Sequence, residues 1–272
     1  MSLSVNITSG KGGVGKSAVT ANMGAALAMR GFSVVIIDAD IGLRAQDALL
    51  GVESNVVFDL IDVAKKDCTI EQALIECPSV HGLNLLPAAQ FARVRSLEFD
   101  RLKELLKQLK RTYDYILIDS PAGIEKGFRN IVNAGTDRTI LIVTPDDICI
   151  RDAERVCQIY DAKHLPKPVI IVNRLNNDLI YHHEMLSARV IADTLDLSLL
   201  GEIPEDSFVY RSLLKHDLFI RYDCEARRAV LRIVDRFLGL QTPFPEIGTT
   251  RPSFFRQLLS RVIKEVTPID NY

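Results

Sequence analysis

Short runs dense in valine and isoleucine alternate along most of the chain with longer stretches whose apolar residues recur every three to four positions. Runs such as Val34-Val-Ile-Ile and Tyr115-Ile-Leu-Ile carry no polar residue between their apolar ones. That pattern predicts strands buried on both faces, with crossover helices covering a mainly parallel sheet. Strands are expected at Leu3–Thr8, Ser33–Asp38, Leu83–Leu86, Tyr115–Asp119, Thr139–Val143, Val169–Val172 and Leu199–Gly201. Helices are expected at about Lys16–Arg30, Leu97–Lys110, Glu125–Asn133, Ile150–Ala162, His183–Leu195 and Glu225–Phe237. The fold class is therefore α/β, a mainly parallel sheet flanked by helices.

Beyond Gly239 the texture changes. Residues 240–252 are rich in Pro, Gly and Thr and read as a linker, which makes 1–239 one domain. From 253 to 266 the apolar positions Phe254, Phe255, Leu258, Leu259, Val262, Ile263 and Val266 fill one half of a helical wheel. Arg256, Arg261 and Lys264 lie on the other half, Glu265 falls at the boundary, and a tail, 267–272, adds Asp270 and the terminal carboxylate. A helix of this kind on a flexible linker suits a place in a membrane interface, phenylalanines among acyl chains and cations over anionic headgroups. Docking on its own domain requires the same amphipathicity and is the alternative.

Composition narrows the function classes. Hydrophobic residues at 47% and charged residues at 25% exclude a mostly disordered chain. A net charge of -2 gives no global pull toward nucleic acid or membrane, so such a partner must be held locally. Cys68, Cys77, Cys149, Cys157 and Cys224 form no C-x-x-C pair, which predicts reduced thiols and neither a zinc site nor an iron–sulfur cluster. With no basic leader and no long apolar run, the expectation is a cytoplasmic protein that meets a membrane only peripherally.

The strongest chemical signal is Gly10-Lys-Gly-Gly-Val-Gly-Lys16-Ser17, which fits G-x-x-x-x-G-K-[ST] directly after a strand and at the start of a helix. Gly10, Gly12, Gly13 and Gly15 let the backbone, with Val14, curl its N–H groups around an oxyanion, and the helix start through Ala18 adds unpaired donors. Lys16 would neutralise β/γ-phosphates and the Ser17 hydroxyl would ligate Mg²⁺. Val34-Val-Ile-Ile-Asp38-Ala-Asp40 and Tyr115-Ile-Leu-Ile-Asp119 each end a hydrophobic strand in acid, at the ligand-binding edge of an open α/β sheet. Asp119 is the acid expected to hold Mg²⁺ through its waters, a solvated strand end being the alternative.

A second lysine, Lys11, sits inside the loop, and Lys-Gly-Gly-Val-Gly-Lys-Ser resembles the deviant phosphate loop of the MinD/ParA family. Asp38-Ala-Asp40-Ile-Gly-Leu-Arg44 and Asp119-Ser-Pro-Ala-Gly-Ile-Glu125 resemble the two switches of its MinD members, and the likeness runs from Leu3 to about Leu238. It weakens over Lys215–Glu225, where no site is assigned. The resemblance implies an ATPase that dimerises on ATP, with Lys11 reaching the partner's nucleotide and hydrolysis depending on dimerisation. It implies that Asp40 activates the attacking water, Asp38 lies near the metal, and the Gly123 amide senses the γ-phosphate. Ile150-Arg-Asp152-Ala-Glu-Arg155 resembles a helix at the dimer face, which adds Asp152. Asn173-Arg174 resembles the family's adenine-contacting pair, and Ile203-Pro-Glu-Asp206 also matches, adding Pro204 and Glu205 to the nucleotide contacts. A turn-forming role for Asn173 is the alternative.

The implied activity is an ATP-driven membrane switch that helps position the division septum by recruiting a MinC-type inhibitor, under a MinE-like or polar-adaptor regulator. Alternatives in the same superfamily are a ParA-like DNA- or cargo-partition ATPase and a flagellar-number regulator, which usually carries an N-terminal extension ahead of the loop. Arg228, Arg232 and Arg236 recur at helical spacing, but three cations alongside Glu225 and Asp235 describe a solvated face, so no specific nucleic acid is expected.

Overall fold

The computed structural model describes residues 2–41, 44–89, 99–124 and 126–245. In chain order the elements are β1 (Leu3–Thr8), α1 (Lys16–Ala28), β2 (Val34–Asp38), α2 (Gln46–Leu50), α3 (Leu60–Lys65), α4 (Ile70–Ala73), β3 (Ile75–Glu76), β4 (Leu83–Leu86), α5 (Phe99–Leu109) and β5 (Tyr115–Asp119). They continue with α6 (Lys126–Asn133), β6 (Arg138–Val143), α7 (Asp147–Ala162), β7 (Val169–Leu175), α8 (Asn177–Tyr181), α9 (Ala188–Thr194), β8 (Ser198–Pro204), α10 (Ser207–Leu214) and α11 (Glu225–Phe237).

The sheet has eight strands in the order β3-β4-β2-β5-β1-β6-β7-β8, and only the two-residue edge strand β3 is antiparallel. Alternation within the buried strands divides the core. Val34 and Ile36 of β2 join the cluster that includes Leu27 of α1, whereas Val35 and Ile37 join the opposite cluster with Leu102, Leu105, Leu106 and Leu109 of α5. The leucines of α5 recur at helical spacing and are all buried, each contributing about 1.5–3 kcal/mol.

Helix α1 differs from the others because it is buried on nearly every side. Its small residues allow that closeness: a Cβ on Gly24 would lie 2.9 Å from Ile36 Cδ1. Asn22 bonds the helix to the segment before α11, its Oδ1 accepting from Ile220 N–H at 2.9 Å. Leu218, Phe219 and Ile220 are buried there, so the stretch where the family likeness fades is a core plug. The helix that follows the phosphate loop is thus an immobile base for it.

Two expectations are corrected. The helix expected over His183–Leu195 is confined to α9: His183 adopts φ +60, and the new helix starts only where Ser187 accepts from Val190 N–H. Helix α7 starts before Ile150, because Asp146 caps it by accepting from Cys149 N–H at 3.0 Å. The strand at β3 and the short helices α2, α3, α4, α8 and α10 were not expected. The segment 253–266, expected to be an amphipathic helix with Phe254, Phe255, Leu258, Leu259, Val262 and Ile263 toward lipid, lies outside the described residues, as do positions 246–252 and the tail 267–272. No helix among the described residues is long and apolar enough to cross a membrane.

Candidate active site

Parallel pairing carries the strand ends to one edge. Ile7 pairs with Asp119 across β1 and β5, and Asp38 pairs with Asp119 across β2 and β5, so both acids stand beside the start of the phosphate loop. Gly13 and Gly15 take positive φ, 78° and 89°, which permits the loop to curl without strain. At Gly10 a Cβ would fall 2.5 Å from the Asp152 backbone, so the loop's first glycine lets it lie directly against α7.

Lys16 is held by Asp119, Nζ to Oδ1 at 2.6 Å, in a pair only 6% and 0% exposed. The other Asp119 oxygen accepts from Gln46 Nε2 at 2.7 Å. Asp38 accepts three backbone N–H bonds, from Asp40 at Oδ1 and from Ala45 and Gln46 at Oδ2. Burial, reinforced by the neighbouring Asp119 charge, nevertheless pushes the Asp38 carboxyl up to about 7. Asp40 is also raised, first by burial and next by Asp119, with Lys16 opposing.

The donor set suits magnesium. Among the described residues, no three His, Cys, Asp or Glu side chains come together to cage a metal. Mg²⁺ rarely uses such a cage; one or two carboxylates plus waters and substrate phosphates hold it. Asp38 and Asp119 at the foot of the loop are two carboxylates that could serve in this way, and the buried Gln46 Oε1 beside them has no hydrogen-bond partner. An unpaired buried acceptor next to two acids is a place where a hydrated cation fits.

Lys11 turns to α7, its Nζ 3.2 Å from Asp146 Oδ1. Burial raises the Asp146 carboxyl, but hydrogen bonds from Thr144 and from Cys149 N–H, together with Lys11, outweigh it and leave it below its ordinary value. Asp152 pairs with Arg155 at 3.1 Å beside the loop.

Beside Gly15 and Ala18 opens a cavity of about 220 Å³, walled by Asn173, Arg174, Pro204 and Glu205. Its apolar side, Val19, Val209 and Phe219, suits the faces of a planar base. The structure thus brings Gly15, Ala18, Asn173, Arg174, Pro204 and Glu205 to one cavity, and two of the groups expected to contact nucleotide, Asn173 and Gly123, already hold a hydrogen bond within the protein. The amide nitrogen of Asn173 donates one hydrogen to Val14 O at 2.8 Å and so braces the loop, which leaves its second hydrogen and Oδ1 for a base edge. The Gly123 N–H donates to Ser9 O at 2.9 Å, so sensing a phosphate requires that bond to be exchanged. Sequence reasoning missed Gln46 and Asp146. Only Asp146 left a signal, as an N-cap residue ahead of a helical period.

Comparison with known proteins gives the same frame. A family model described as "ParA: NUBPL iron-transfer P-loop NTPase" matches residues 1–237. The septum site-determining protein MinD of Helicobacter pylori is 41% identical over 261 residues, 93% of this chain and 97% of that protein. Among solved structures, the MinC:MinD cell division protein complex of Aquifex aeolicus superposes with a TM-score of 0.82 at 34% identity, over 90% of this chain and 99% of that one. MinD of Pyrococcus horikoshii complexed with Mg-ADP superposes with a TM-score of 0.78 at 28% identity, over 87% and 96% of the two chains.

Proposed function

Since the chain belongs to the MinD group of the ParA family of P-loop NTPases, we propose that it hydrolyses ATP to ADP and phosphate and uses the cycle to move between cytoplasm and membrane. The observation that carries this reading is the convergence of the Gly10–Ser17 loop, Lys16, Asp38 and Asp119 on one sheet edge beside a base-sized cavity. Ser17, Asp38 and Asp119 would hold Mg²⁺, which would supply positive charge opposite the phosphates. Lys16 leaves Asp119 for the β/γ-phosphates, and Asp40 takes the proton of the attacking water as its oxygen bonds to the γ-phosphorus and the bond from that phosphorus to the bridging oxygen breaks, the oxygen leaving with ADP. Lys11 leaves Asp146 and reaches the partner's nucleotide, so chemistry waits for a dimer of two chains.

Dimerisation would bring together two copies of segment 253–266, which the sequence pattern suits to an amphipathic helix. One such helix binds anionic lipid marginally, and two bind far more tightly through effective concentration. The membrane-bound dimer recruits a MinC-type division inhibitor, as the MinC:MinD complex from Aquifex aeolicus suggests. A MinE-like or polar-adaptor protein resets the cycle. Iron transfer, named in the family description, finds no C-x-x-C pair in this sequence. A DNA track on α11 is disfavoured because Arg228 is paired with Asp223 and Glu225, and Arg236 is bound to the carbonyls of Leu200, Thr242 and Pro243.

Sedimentation with anionic liposomes, comparing ATP with ADP for the full chain and for one ending at Arg251, tests the reading. ATP should drive only the full chain onto lipid. Binding indifferent to nucleotide and to truncation would refute the membrane switch.

A further inference from the structure

Gln46 connects three parts of the site that are far apart in sequence. Its backbone N–H donates to Asp38 Oδ2 at 3.0 Å, and its Nε2 donates to Asp119 Oδ2 at 2.7 Å and to Ser17 O at 3.0 Å. The side chain is wholly buried, and its Oε1 has no hydrogen-bond partner. An amide with both partners of its nitrogen fixed cannot rotate to satisfy its oxygen without giving up Asp119. The oxygen is therefore held in place as an acceptor, beside the acceptors Asp38 and Asp119 and without a bond from Lys16, whose ammonium is given to Asp119.

We propose that Gln46 is a positioning residue for the hydrated magnesium ion: Nε2 orients Asp119, and Oε1 accepts a hydrogen bond from a water of the metal. The inference rests on the nucleotide-site reading above and deepens it. A residue that served only to pack α2 against the loop would need neither an amide nor an unpaired oxygen, since Leu or Met fills the same volume. The orphaned acceptor is what a packing role leaves unexplained. Because the water's protons are polarised by the cation, the bond belongs to the stronger, charge-assisted kind.

The test is a titration of the full chain with a fluorescent ADP analogue, in excess Mg²⁺ and in EDTA, for wild type, Gln46→Leu, Gln46→Met and Gln46→Glu. Wild type should bind more tightly with Mg²⁺. In Gln46→Leu and Gln46→Met the Mg²⁺-dependent gain should shrink about tenfold, while affinity in EDTA stays within about a factor of two. Gln46→Glu loses the Nε2 bonds to Asp119 and Ser17 O and adds a carboxylate, so its affinity in EDTA should fall, but it keeps an acceptor oxygen and should keep the Mg²⁺-dependent gain. Loss of affinity to the same extent with and without Mg²⁺, or an undiminished gain in both apolar variants, overturns the proposal. So does Gln46→Glu behaving like Gln46→Leu, which would leave only the Nε2 brace. A wild type that binds the nucleotide in neither condition overturns the nucleotide site itself, and the two failures are thereby told apart.

Discussion

Asp146→Asn should lower the threshold for ATP-driven dimerisation. Asp146 does two jobs: it caps α7 through Cys149 N–H and holds the Lys11 ammonium at 3.2 Å. Asparagine caps a helix about as well as aspartate, so the change separates the jobs, at a stability cost below about 1 kcal/mol from the lost charge–dipole term. The pair is 39% and 45% exposed, so solvent screens it and it is worth about 0.2–1 kcal/mol. A dimer formed as proposed would release two such lysines, about 0.4–2 kcal/mol together, which corresponds to dimer dissociation constants about 2- to 30-fold lower. Sedimentation equilibrium in ATP, on an Asp40→Ala background that, on the proposed mechanism, should leave the nucleotide intact, reads this directly. The difference should narrow at high salt, as for any exposed pair. An unchanged or weaker dimer in Asp146→Asn would show that Lys11 is not restrained by α7, and the argument would fail.

Asp38 gives the pH dependence. Its folded value of about 7 lies above the ordinary 3.8, so the folded chain holds the extra proton between those limits. Stability from this group is full below about 4, declines as pH rises to about 7, and is flat above, with a ceiling of about 4 kcal/mol. Urea midpoints without nucleotide should show the decline, and saturating Mg-ADP should flatten it by giving the ionised carboxylate a partner; a slope of opposite sign would refute the assignment. At Gly201 a Cβ would fall 2.2 Å from Ile233 Cγ1, so Gly201→Ala should cost about 1–3 kcal/mol by prising α11 off β8. That is a fall of about 2–12 °C in Tm, with nucleotide affinity unchanged at low temperature.

The sheet was legible because its strands are buried on both faces and show it as unbroken apolar runs. Short helices were not, since α2, α3, α4 and α8 are too brief for any period to register. Local hydrogen bonds make two of them: Asp59 and Asp62 close a capping box at α3, as do Thr69 and Gln72 at α4, and the second of these fits a readable pattern. The phosphate loop and its acids were legible from residue type and position on strand ends. Their partners were not. Gln46 reaches Asp119 across 73 positions and Lys11 reaches Asp146 across 135, distances over which a single sequence carries no pairing signal.

The charge arrangement at the loop has a thermodynamic consequence. Lys16 and Asp119 neutralise each other where almost no solvent reaches, and such a pair tolerates badly the loss of one member, at about 3–5 kcal/mol. Moving Lys16 to a phosphate without a cation would strand Asp119 between Asp38 and the incoming anion. Supplying a cation without a phosphate would set it against the Lys16 ammonium. Each half of the exchange is costly, and the two together conserve every pairing. Nucleotide and Mg²⁺ should therefore bind with strong mutual dependence, and Asp119→Asn, which leaves Lys16 with a neutral partner, should weaken the coupling by raising affinity for nucleotide in EDTA while lowering the gain from Mg²⁺. Equal loss in both conditions would mean that Asp119 acts on the fold alone.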